Sequence, residues 1–149
     1  MTEKPLKILS IDDDEFIRIF LKDIFWMHGG NQHDLTVFPN IKKARQFMTD
    51  PKNKPDLIFL DLRLPEEDGG PVGVENSFKF LKDIKTSPET KDVKVIIFSS
   101  FGDKEIQDKA VKLGACKFLI KGESLPSEIL RIVKELTEET VKQKPKIFT

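Results

Sequence analysis

The sequence predicts a doubly wound α/β domain, a parallel sheet with helices on both faces. Three observations predict it. Five short apolar runs alternate with five stretches of helical periodicity. The connections between successive runs are long enough for right-handed βαβ crossovers. The run Leu57-Ile58-Phe59-Leu60 is apolar at every position, as suits a strand buried on both faces of a parallel sheet.

The elements follow in order. Leu6 to Ile11 reads as the first strand and runs into Asp12-Asp13-Asp14-Glu15. Ile17, Phe20, Leu21, Ile24 and Phe25 then recur at helical spacing up to Gly29-Gly30, a helix stop. Asp34 to Phe38 is a second strand. Asn40 opens a helix with Ile41, Ala44, Phe47 and Met48 on one face, ended by Asp50-Pro51. The third strand is the apolar run that ends at Asp61. Arg63 to Gly73 is rich in turn residues and cannot be a helix, and Asn76 is the expected N-cap of a helix using Phe78, Leu81 and Ile84. Val93 to Phe98 is a fourth strand, followed by Ser99-Ser100. Asp103 caps a helix with Ile106, Ala110 and Leu113, ended by Gly114. Cys116 to Ile120 is a fifth strand leading to Lys121-Gly122. The last helix carries Leu125, Ile129, Ile132, Val133 and Leu136.

Composition bounds the function. The chain has 149 residues, enough for one domain with a real core. Its 25 basic and 25 acidic side chains balance, so net charge gives no hint of nucleic acid or acidic membrane, and neither is expected as a partner. No apolar run nears the roughly 20 residues that span a bilayer. The single cysteine, Cys116, excludes an internal disulfide and reads as a small core residue. Trp26 is expected to pack at the edge of the first helix, and His28 and His33 to flank a turn in solvent-exposed or structural roles. The expectation is a cytoplasmic, monomeric domain over residues 1–141, with a short basic tail over 142–149 and no output domain.

Ligands of open parallel sheets bind outside the carboxyl ends of the strands. There the first strand delivers Asp12 and Asp13, the third Asp61, the fourth Ser99 and the fifth Lys121. Three crowded carboxylates raise one another's pKa, and a hard cation such as Mg²⁺ relieves the repulsion. An ammonium and a hydroxyl beside them suit a phosphoryl group. Glycines 69, 70 and 73 match no phosphate loop, because no Gly-Lys-Ser/Thr follows.

These residues, with Ile8 to Asp14, Asp61-Leu62-Arg63-Leu64-Pro65, Asp68-Gly69, Ile96 to Ser100 and Gly114-Ala115 through Lys121, resemble the receiver domain of two-component response regulators. The resemblance runs from about Leu6 to about Leu136 and implies a flavodoxin-like fold with sheet order 2-1-3-4-5. It implies that Asp61 accepts a phosphoryl group from a sensor histidine kinase or a histidine phosphotransfer protein. Asp13, Asp61 and the Arg63 backbone carbonyl would ligate Mg²⁺, with Asp12 acting through water. Ser99 would be the switch hydroxyl, Lys121 the phosphoryl-pairing lysine and Phe118 the aromatic switch. The downstream partner would bind the fourth helix, fifth strand and fifth helix. The protein would be a signalling switch and not an enzyme in its own right. Arg63 and Phe101 border the implied path of the hydrolytic water and are expected to slow loss of the phosphoryl group.

The chain departs from that pattern in two places. Gly122 replaces the usual proline after the lysine, and Gly70 to Asn76 reads as an insertion expected to form an irregular flap. Two alternatives stand beside the leading reading. One is a haloacid-dehalogenase-like phosphatase with Asp12 as nucleophile and Asp14 as acid/base; it leaves Asp61 unexplained. The other is a degenerate receiver that binds partners without phosphorylation.

Overall fold

The computed structural model describes residues 5–28 and 33–143. Strand β1 (Lys7–Ile11) leads to α1 (Glu15–Asp23), whose end widens into a π-helical turn at Ile24–His28. Next come β2 (Asp34–Phe38), α2 (Ile41–Met48), a 3₁₀ turn at Pro51–Asn53 and β3 (Leu57–Leu60). A two-stranded antiparallel ribbon, β4 (Leu64–Pro65) with β5 (Val72–Gly73), precedes α3 (Val74–Thr86). The chain closes with β6 (Lys94–Ser99), α4 (Lys104–Lys112), β7 (Lys117–Ile120) and α5 (Pro126–Gln143).

Five strands make one parallel sheet in the order β2-β1-β3-β6-β7. Without the ribbon strands this is the expected 2-1-3-4-5. Ile11 pairs with Phe38 and Leu60, Leu60 with Ile97, and Ser99 with Ile120, so the carboxyl ends finish at one edge.

The alternation of β3 shows why the run had to be apolar throughout. Ile58 and Leu60 join Leu9, Ile41, Phe80 and Ile97 in the core under α2, α3 and α4. Leu57 and Phe59 face the other way and join Ile8, Leu21, Phe25, Phe98 and Ile132 under α1 and α5. Burying side chains of this size contributes about 1.5–3 kcal/mol each, so the central strand anchors both layers.

The expected caps at Asn40 and Asp103 form, and Asp14 caps α1 as well. The side chains of Asp14, Asn40 and Asp103 accept from the backbone N–H groups of Phe16, Lys43 and Ile106. The expected cap at Asn76 does not form: α3 starts earlier, at Val74, with Gly73 as its N-cap and so no side-chain cap, and the amide of Asn76, now inside the first turn, reaches back to the preceding loop. Other details also shift. Trp26 is 63% exposed instead of packed, since the π-helical turn swings it outward while Ile24 and Phe25 stay buried. Cys116 is half-buried, its thiol donating to the Val95 carbonyl, and burial pushes its pKa up. His33 takes the structural role expected of it, its Nδ1 accepting from Leu6 N–H and its ring edge-on to Phe25. α5 runs through Gln143, two residues past the expected domain boundary. The Gly29-Gly30 helix stop, the His28 side chain and the end of the basic tail lie outside the described residues. No helix of the described residues is long and apolar enough to cross a membrane.

Candidate phosphoacceptor site

The sheet edge brings four of the expected residues into one cluster. Asp12 and Asp13 follow β1, Asp61 follows β3, and Lys121 follows β7. One oxygen from each of Asp12, Asp13 and Asp61 lies within 4.8 Å of the others. The Lys121 ammonium sits 2.7 Å from Asp12 Oδ2 and 3.5 Å from Asp61 Oδ2. Asp12 and Asp61 are buried, whereas Asp13 faces solvent.

The backbone holds each carboxylate in place. Asp61 N–H extends the ladder to the Ile11 carbonyl at 3.0 Å, and Asp12 N–H reaches the Phe38 carbonyl at 3.0 Å. Asp12 Oδ1 accepts from Asp14 N–H at 2.9 Å, so with Lys121 on Oδ2 both its oxygens have partners. Arg18, from α1, donates to the Asp12 carbonyl at 2.8 Å. Nothing in the sequence singled Arg18 out, because it reads as an ordinary solvated helix residue.

Electrostatics follow from this crowding. Burial, then the Asp12 charge, push the Asp61 carboxyl up to about 7, against the pull of Lys121. Burial also raises Asp12, opposed by its hydrogen bond to Lys121. An all-oxygen set of three carboxylates, with the central one destabilised as an anion, fits a hard divalent cation.

The loops around the cluster complete the site. Ser99 is fully buried, and its Oγ accepts from Phe101 N–H at 3.3 Å. The Arg63 guanidinium lies 4.2 Å over the Phe101 ring and links the loops after β3 and β6. Phe118 is half-buried against Gly102, where any side chain would collide with its ring.

A match to the response regulator receiver domain family covers residues 8–134. The chain belongs to that family. This receiver domain is 30% identical over 115 residues to the sporulation initiation phosphotransferase F of Bacillus subtilis, covering 77% of this chain and 81% of that one. It is 29% identical over 118 residues to a probable chemotaxis protein CheY of Rhizobium etli, covering 79% and 82%. A CheY-like receiver domain protein of Methanospirillum hungatei has the same fold, with a TM-score of 0.76, 18% identity and coverage of 94% and 99%.

The receiver's departures now have shapes. The peptide between Lys121 and Gly122 is trans, and Gly122 adopts φ +85°, a conformation that suits glycine. The expected irregular flap is instead a pinned ribbon. Lys42, Lys43 and Arg45 of α2 pair with Glu67, Asp68 and Glu66 at 3.3, 3.4 and 3.4 Å. Asn40 Nδ2 donates to Asp68 Oδ1, and Lys42 N–H to the Glu66 carbonyl. From α3, Asn76 Nδ2 donates to the carbonyls of Leu64 and Pro71, one on each arm. Ser77, beside it, donates to the Asp61 carbonyl at 2.8 Å. Sequence reading missed Ser77, which resembles any small residue in a helix.

Proposed function

We propose that this receiver domain is phosphorylated on Asp61 by a histidine kinase or a histidine phosphotransfer protein, and signals through protein contacts that depend on the phosphoryl group. One observation carries the reading: a buried Asp61 carboxylate at the sheet edge, flanked by two further carboxylates and the Lys121 ammonium. Relatives named as a sporulation initiation phosphotransferase and a probable chemotaxis protein support it.

An Asp61 oxygen attacks the phosphorus of the donor's phosphohistidine. A P–O bond forms, the P–N bond breaks, and its electron pair returns to the imidazole ring. Lys121, held at the rim of the pocket, neutralises an oxygen of the transferring group. Asp12, Asp13, Asp61 and the Arg63 carbonyl would hold Mg²⁺, which supplies charge neutralisation for the carboxylates and the phosphoryl oxygens. Lys121 favours the ionised, nucleophilic form of Asp61, as a cation held by these carboxylates would. Ser99 then exchanges its bond to Phe101 N–H for one to the phosphoryl group, and Phe118 follows by burial alone, having no hydroxyl.

The surface favours separate contacts for input and output. α1 starts beside the acidic cluster and exposes Phe16 (82%) and Ile19 (48%), one turn apart on one face. Any donor that brings a phosphohistidine to Asp61 meets that face. The surface of α4, β7 and α5 carries Phe118 and is assigned to the downstream partner. The phosphatase reading has less support: its acid/base, Asp14, caps α1, and it leaves the buried Asp61 without a part.

Incubation with acetyl phosphate and Mg²⁺, followed by intact-mass measurement, tests the reading. The expected result is a gain of about 80 Da that disappears in Asp61→Asn. An adduct that survives Asp61→Asn, or phosphate turnover without an adduct, overturns it.

A further inference from the structure

The carbonyl of the acceptor residue poses a problem that the sheet does not solve. Asp61 stands one residue past β3, so its N–H still joins the ladder to Ile11 while its carbonyl points into the loop. That carbonyl is enclosed, because Asp61 is 6% exposed and Leu62 fully buried. An enclosed backbone carbonyl without a partner costs about 1–3 kcal/mol. Ser77 supplies the partner: its Oγ, itself fully buried, donates from the first turn of α3 at 2.8 Å.

The source of that hydroxyl is informative. α3 begins at Val74 with Gly73 as its N-cap, a residue with no side chain to cap with. Asn76 and Ser77 lie in the first turn, and both side chains turn to the loop, Asn76 to Leu64 and Pro71 and Ser77 to Asp61. The loop after the acceptor gains three fixed carbonyls.

We propose that Ser77 is a positioning residue for phosphoryl transfer: by holding the Asp61 carbonyl it fixes the peptide plane after the acceptor, and with it the aim of the Asp61 carboxylate and of the Arg63 carbonyl. The inference rests on the reading of Asp61 as acceptor. Ser77 touches neither the phosphoryl group nor the cation; it acts through Asp61.

The test compares wild type, Ser77→Ala, Ser77→Cys and Ile132→Val, the last a core change in the opposite layer under α5. Each is labelled with acetyl phosphate across Mg²⁺ concentrations, Mg²⁺ affinity is measured separately by calorimetry, and stability by urea unfolding. Loss of a group that orients a reactive or ligating residue typically costs tenfold or more, so Ser77→Ala is expected to label about tenfold more slowly at saturating Mg²⁺ and to bind Mg²⁺ more weakly. Ser77→Cys, with a weaker donor of similar size, should fall between, and Ile132→Val should label at the wild-type rate. Equal labelling and Mg²⁺ affinity in Ser77→Ala and wild type overturns the inference while leaving the acceptor reading intact. Equal slowing in Ile132→Val also overturns it, since lost stability would then explain the effect. A wild type that takes no label overturns the acceptor reading, and the Ser77 inference with it. Where Ser77→Ala does not fold, Ser77→Cys decides between slowed and unchanged labelling.

Discussion

The acidic cluster and the loop that follows Asp61 lie side by side and are built by different means. The cluster is assembled by the backbone. Parallel ladders run into Asp12 and Asp61, and β7 ends in register with β6, so the register alone delivers the charges to one edge. The loop is assembled by side chains: Asn76 and Ser77 bond to its carbonyls, three ion pairs tie it to α2, and Arg63 lies over Phe101. The first kind of construction tolerates sequence change at most positions but holds charges where they repel. The second depends on a few named side chains and is where a receiver domain acquires individual properties.

The largest effect tests the cost of holding a charge on Asp61, set first by burial and then by the neighbouring Asp12 charge. Burial and the Asp12 charge push the Asp61 carboxyl from the ordinary 3.8 up to about 7. The folded state therefore binds its proton more tightly than the unfolded chain. Any stability from this group is fully present below about pH 4 and is lost as pH rises through 7. In metal-free buffer, Asp61→Asn should be more stable than wild type by roughly 2–4 kcal/mol at pH 8, with the gain shrinking toward zero near pH 4. Urea unfolding at several pH values measures this. Added Mg²⁺ should stabilise wild type and narrow the gap. A difference that does not change with pH would mean that the cluster is not strained by charge.

Most of the cluster was legible in the sequence, and little of the loop was. Period and apolarity identify strands, and strands in a parallel sheet carry their terminal residues to a common edge, so Asp12, Asp61, Ser99 and Lys121 could be placed from order alone. The loop obeys no period. Asn76 was read as a helix cap because its type and position favour capping, yet its amide reaches back across the ribbon to Leu64 and Pro71. Gly70 to Asn76 read as a flap because glycine and proline report only local freedom. The ion pairs that hold the ribbon join residues more than twenty positions apart, beyond any local signal.

A smaller effect separates what holds the ribbon from what decorates it. Asn76→Ala removes two hydrogen bonds from loop carbonyls and should cost about 1–2 kcal/mol, visible as a lower urea midpoint and faster amide exchange around Leu64 and Val72. Neutralising Glu66, Glu67 and Asp68 together should cost less than Asn76→Ala, because these exposed pairs gain little in water and are screened by salt. The reverse ranking would make the loop an electrostatic construction like its neighbour, and the contrast between the two regions would fail.

The smallest effect concerns the contact where the loop meets the site. Arg63 lies over Phe101, and Ser99 accepts from the Phe101 N–H in the same strand-end turn. In the proposed function, the water that hydrolyses the aspartyl phosphate passes this contact. An exposed cation–π contact is worth about 1 kcal/mol, which corresponds to about fivefold in rate if it must open first. Arg63→Asn and Phe101→Glu should each shorten the half-life of the radiolabelled adduct by about that factor. The double variant should do little more than either single one, since either change alone removes the contact. Additive effects would assign the two side chains independent roles, Arg63 on the phosphoryl charge and Phe101 on the water. Unchanged half-lives would place the barrier to hydrolysis in the backbone-built cluster alone.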